Sequence, residues 1–152
     1  MQSVEHFLLT RFNLRLWPHN KRGASTQTEE WLRERVILFE QYTFPSMLAQ
    51  TCQRYQWILL LDSESPTWLR DKMQIWTERC PQIKPFWIKP EVSRKFGQIF
   101  QMAVSKLLDG KMCRIITTYL DNDDAVARNF VEDIQLQLAD APANTVLTYS
   151  HG

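Results

Sequence analysis

A chain of 152 residues, 44% of them hydrophobic and 23% charged, has the length and balance of one folded domain with its own core. A net charge of +1 leaves no field that would draw it to nucleic acid or to an acidic membrane surface. No apolar run approaches the roughly 20 residues of a membrane span, and the opening MQSVEHFLLTRF, with Glu5 and His6 inside a short apolar run, does not read as a signal peptide.

In chain order, HFLLTRFNL (His6 to Leu14) begins as a strand. WPHNKRGASTQTEE then turns polar and basic, broken by Pro18 and Gly23, and a loop of that length is usually functional or disordered. Thr26 and Glu29 have capping-box spacing, and Leu32, Val36 and Phe39 follow on one helical face. Pro45 is expected to end that helix and start another, PSMLAQTCQRY. WILLLD (Trp57 to Asp62) is a continuous apolar run that fits a central strand covered on both sides. Ser65-Pro66 reads as an N-cap and first-turn proline for a helix carrying Leu69, Met73 and Trp76. IKPFWI (Ile83 to Ile88) reads as the next strand, weakened by Pro85. Phe96, Phe100, Ala103 and Leu107 share a helical face that Gly110 stops. CRIITTYL is a strand, Ala127, Phe130, Val131, Ile134 and Leu138 mark a helix, and TVLTYS reads as a last strand. Strands alternating with helices predict an α/β domain with a mostly parallel sheet.

Cys52, Cys80 and Cys113 are odd in number and far apart, which argues against a disulfide framework or zinc clip and for reduced core residues in the cytoplasm. Most of the six tryptophans are expected in the core, although an indole can also stack on a base or sugar.

RIITTYLDNDDAV (Arg114 to Val126) runs from a strand straight into Asp121, Asp123 and Asp124. Ligands of such sheets sit outside the carboxyl ends of the strands, and Asp62 ends another strand. Clustered carboxylates raise one another's pKa and are costly without a cation. Mg²⁺ or Mn²⁺ removes that cost and commonly bridges one or two carboxylates to substrate phosphates. The alternative is a solvated acidic helix N-terminus, where aspartates suit the dipole. The missing glycine and glutamate argue against an EF-hand loop. Asp121 and Asp123 also have the Asp-x-Asp spacing of aspartate-nucleophile phosphatases of the haloacid dehalogenase type, although those enzymes usually carry it on the first strand.

YLDNDDAV resembles the Asp-x-Asp-Asp turn of GT-A fold glycosyltransferases. HFLLTRFNLR, WLRERVILFEQYTFPSMLAQTCQRYQWILLLD and IITTYLDNDDAV, in that order, resemble blocks of the putative rhamnosyl transferases of bacteria, from His6 to the last helix. The resemblance implies a Rossmann-like, GT-A three-layer sandwich. It implies a donor that is a deoxythymidine- or uridine-diphosphate sugar, a glycan or other hydroxyl as acceptor, and a divalent metal, Mn²⁺ or Mg²⁺. Asp123 and Asp124 would be the metal end of the motif, with Asp121 near the ribose or the metal's water shell. Thr10, Arg11 and Asn13 would begin the nucleotide site and Asp62 would face the base. Arg94, ahead of a helix, could face the diphosphate. Each has a plainer reading: a surface cation for Arg11 and Arg94, a strand end for Asn13, a helix cap for Asp62 with Ser63.

Two departures stand out. Tyr119 occupies the place where this group is expected to carry an arginine. The chain also stops at YSHG, where GT-A enzymes continue with an acceptor-binding half that usually supplies the catalytic base. Residues 1–152 would then be the nucleotide-sugar-binding half, incomplete at the C-terminus, and an uncovered edge strand would favour homo-oligomers. The rival from another class is a non-catalytic nucleotide-binding or interaction module.

Overall fold

The computed structural model of the chain describes residues 3–16 and 28–149. Four strands, β1 (Val4–Arg11), β2 (Gln56–Asp62), β3 (Ile83–Ile88) and β4 (Arg114–Tyr119), form an all-parallel sheet in the order β3-β2-β1-β4. The helices are α1 (Glu29–Leu38), α2 (Phe44–Leu48), α3 (Thr67–Arg79), α4 (Phe96–Leu108) and α5 (Phe130–Leu138). The sheet is covered on both faces, which makes the expected α/β, Rossmann-like three-layer sandwich.

Strand alternation sorts the two cores. Leu8 and Phe12 of the first strand and its exit, with Trp57, Leu59 and Leu61 of β2, pack against Val36, Phe39, Met47, Leu69, Trp76 and Val131. Phe7 and Leu9, with Ile58 and Leu60, face Phe100, Ala103 and Val104 of α4. All five central residues of β2 from Trp57 to Leu61 are fully buried, as its unbroken apolar run predicted. β3, which carries Pro85, is an edge strand, where a missing N–H does least harm. Among the tryptophans, Trp57 and Trp76 are in the core, and Trp31, Trp68 and Trp87 pack partly buried against it. Cys52, Cys80 and Cys113 are free thiols, the first two buried.

Four sequence expectations change. Pro45 does not end the first helix. The chain passes from α1 through a π-helical turn (Phe39–Thr43) directly into α2, with Pro45 in the first turn of α2. The Phe44 N–H bonds the Phe39 carbonyl five residues back. This wider turn lets the helix absorb a residue that lacks an N–H and crowds the preceding carbonyls. The N-cap of α1 is Thr28, whose hydroxyl accepts from the Trp31 N–H at 3.1 Å. Thr26 and most of the basic loop, including His19, Lys21 and Arg22, lie outside the described residues. Ser65 does not cap α3. Its hydroxyl donates to the Asp62 carbonyl (2.7 Å) and accepts from Asn13 (2.9 Å). Residues 145–149 form no strand: they turn back on α5, where the Tyr149 hydroxyl donates to Asp133 at 2.5 Å and its ring lies 5.9 Å from that of Phe130. A β-prone run without a neighbouring strand has no ladder to join.

Candidate functional site

β1 leads through α1 to β2, and β2 through α3 to β3, stepping one way across the sheet. From β3 the chain crosses by α4 on the opposite face and enters β4 on the far side of β1. The direction of winding therefore reverses between β1 and β4, and in open α/β sheets ligands bind in the crevice outside the carboxyl ends at such a point. The segment that leaves β1 stitches the ends of its neighbours together. Thr10 Oγ1 donates to the Leu120 carbonyl (2.6 Å) and accepts from Trp57 Nε1 (2.8 Å). The Phe12 N–H bonds the Leu60 carbonyl (2.9 Å), and the Phe12 carbonyl accepts from Asn122 Nδ2 (2.8 Å). Asn13 accepts from the Asp62 N–H (3.1 Å) and donates to Ser65. Both edges of the crevice thus hang on residues 10–13.

On the β2 side lies a cleft of about 220 Å³ lined by Asn13, Arg15, Asp62, Glu64 and Ser65, with Trp31 of α1 as its aromatic wall. Asp62 is 5% exposed. Its carboxylate accepts from Arg15 Nε at 2.6 Å and from the Glu64 N–H at 2.9 Å, and Arg15 also reaches Glu64 at 3.3 Å. These bonds satisfy a nearly buried charge, as burial demands. Asp62 closes a tight turn and does not cap the helix that follows.

On the β4 side, the four residues of the acidic turn divide by role. Asn122 is buried and anchors the turn to Phe12. Asp121 and Asp124 are exposed, and Asp123 forms an ion pair with Arg35 of α1. The Asp124 carboxyl is pushed above its ordinary range, first by desolvation and then by the negative charges of Asp123 and Asp121. The turn therefore carries uncompensated negative charge, and a guanidinium already sits on one of its carboxylates. Among the described residues no three acidic, histidine or cysteine side chains converge as ligands of a closed metal cage. The turn offers carboxylate oxygens, the donor type that hard cations take.

Among the other predicted residues, Thr10 is fully buried and its hydroxyl is committed inside the fold. Arg11 lies over the Phe96 ring, 4.5 Å from its centroid. Arg94 Nε donates to the Leu16 carbonyl at 3.3 Å. Asn13 and Asp62 are brought into one cleft, while Asp121, Asp123 and Asp124 stay together on the next strand end. Tyr119 is 66% exposed, edge-on to Phe100. On α5, Glu132 is exposed and Asp133 is half-buried, accepting from the Tyr149 hydroxyl.

Arg15, Trp31, Arg35 and Asn122 are additions that the sequence did not single out. Arg15 had a signal: it continues the polar positions 11 and 13 at a strand's spacing of two. Asn122, the one amide among three acids, had another. Arg35 had none, because 88 positions separate it from Asp123.

No helix among the described residues is long and apolar enough to cross a membrane. No curated protein gives a significant match to the chain. A family model described as "putative rhamnosyl transferase" matches residues 6–150, nearly the whole chain and both sides of the crevice, and the chain belongs to that family.

Proposed function

We propose that this chain binds a nucleotide-diphosphate sugar across the carboxyl edge of its sheet and moves the sugar to an acceptor hydroxyl. The observation that carries the reading is the pairing of a nucleoside-sized cleft with an acidic turn at one topological switch point, the two tied together through Phe12 and Asn13. In this reading Asp62 and Asn13 offer hydrogen bonds to the base and sugar, Trp31 offers a ring face, and Asp121 lies toward the ribose. Asp123 and Asp124 would hold Mn²⁺ or Mg²⁺, which when bound supplies Lewis-acid stabilisation of the departing diphosphate. Rhamnose is the sugar that the family description names, and deoxythymidine or uridine diphosphate would carry it. The acceptor hydroxyl, on a glycan or another molecule, attacks the anomeric carbon as a general base takes its proton.

Calorimetric titration of uridine and deoxythymidine diphosphates tests this, with Mn²⁺ or with chelator, against wild type and the Asp123→Asn/Asp124→Asn double variant. Metal-dependent binding lost in the double variant is expected. No binding of either nucleotide in Mn²⁺ would end the proposal. A binding-only module is the second reading, favoured by the ion pair that already occupies Asp123. It predicts the same binding but no release of nucleoside diphosphate from the nucleotide sugar in the presence of acceptors. The phosphatase reading predicts hydrolysis of a generic phosphomonoester that Asp121→Asn abolishes.

A further inference from the structure

We propose that Arg35 is the diphosphate-binding cation of this site: it holds Asp123 in the free chain and moves to the diphosphate as a divalent ion takes its place on the carboxylate. The inference rests on the donor-site reading above.

Arg35 reaches the acidic turn from α1, across the crevice from the strand that bears the acids. Its guanidinium lies 5.6 Å from the centroid of the Trp31 ring, the same indole that lines the nucleoside cleft. Arg35 therefore stands between the two halves of the site, touching a residue of each. Its side chain and that of Asp123 are each about one-third exposed (32% and 35%), so ligand and ion have access to both.

The exchange is physically reasonable in both directions. A partly exposed ion pair is weak, because water screens it and two side chains must be ordered to keep it. A diphosphate presents several oxygens to a planar fork of N–H donors, and such bidentate, charge-assisted bonds are stronger. Removing the guanidinium from Asp123 would leave three carboxylates within four residues and no guanidinium on any of them. Asp123 and Asp124 would then hold a hard cation, which would supply the positive charge that the guanidinium had given the turn. The π-helical turn begins four residues after Arg35, and the Phe39 N–H that closes the preceding turn is shared between the Arg35 and Val36 carbonyls. The helix thus changes pitch next to the residue that has to move.

The test compares wild type, Arg35→Ala and Arg35→Lys by calorimetry, with Mn²⁺ alone and then with uridine and deoxythymidine diphosphates in saturating Mn²⁺. Arg35→Ala is expected to bind Mn²⁺ alone about two- to fivefold more tightly, since an exposed competitor is gone. It is expected to bind the nucleoside diphosphate about tenfold or more weakly, since a charge-assisted contact is lost. Arg35→Lys, which keeps the charge without the fork, should fall between the two in diphosphate affinity. Arg128→Gln, an exposed cation four residues past Asp124, should change either affinity less than twofold. A merely structural Arg35 would lower both affinities together, and that result overturns the proposal. Unchanged diphosphate affinity in Arg35→Ala overturns it as well, while wild-type binding leaves the donor site standing. Absence of binding in wild type removes the donor site and this role with it. Circular dichroism melts of the lysine variant separate loss of fold from loss of ligand.

Discussion

His6 is 2% exposed in the middle of the sheet's first strand, with Nε2 against Thr118 Oγ1 at 2.8 Å and Nδ1 against Gln135 Nε2 at 3.2 Å. Desolvation lowers its pKa from 6.5 to about 4. The folded state thus keeps the imidazole neutral where the unfolded chain protonates it. A depressed folded pKa contributes stability that is fully present above pH 6.5 and is lost as pH falls toward 4, levelling off below that. A shift of this size corresponds to about 3 kcal/mol in all, of which about 2 kcal/mol disappears between pH 7 and pH 5. Urea unfolding of wild type and His6→Gln at pH 7, 6, 5 and 4.5 measures it. His6→Gln starts less stable at pH 7, but its stability should fall less on acidification, so the gap between the proteins narrows by about 2 kcal/mol by pH 5. Every other titrating group is common to both proteins and cancels in the difference. Parallel pH dependences for the two proteins would refute the reasoning. So would an imidazole resonance of His6 that titrates near its ordinary pKa in the folded state.

Thr10→Val should cost about 2–4 kcal/mol in urea unfolding, because it strands both the Trp57 indole N–H and the Leu120 carbonyl in the interior. The folded variant should bind nucleoside diphosphate as wild type does, whereas intact stability with lost binding would make Thr10 a direct ligand. Asn122→Ala should cost about 1–2 kcal/mol and weaken metal-dependent nucleotide binding, because the acidic turn loses its tie to Phe12. Asn122→Asp should be the less stable of the two at pH 7, since it sets a carboxylate against the Phe12 carbonyl with no proton between them. Equal thermal stability of Asn122→Asp and wild type would refute the strut.

Much of this protein was determined by its sequence alone. The unbroken apolar run of β2, the alternating strand and helix periods and the glycine stop near residue 110 specify an α/β sandwich, because burial on both faces leaves those patterns no other arrangement. The acidic turn and Asp62 were legible for the same reason: charges placed directly after buried strands must emerge at one edge of a parallel sheet. Local rules failed where the chain had a tertiary alternative. Pro45 could stay in a helix because a π turn widened around it, and Ser65 left the cap to hold the Asn13 and Asp62 segments together. Thr10 looked like a ligand because it closes a strand at the binding edge, yet strand parity turns its hydroxyl inward to Trp57. Arg35 and Asp123, 88 positions apart, meet only because α1 packs across the sheet from β4. Sequence sets what each element can bury; only the packed sheet decides which distant charges must neutralise one another.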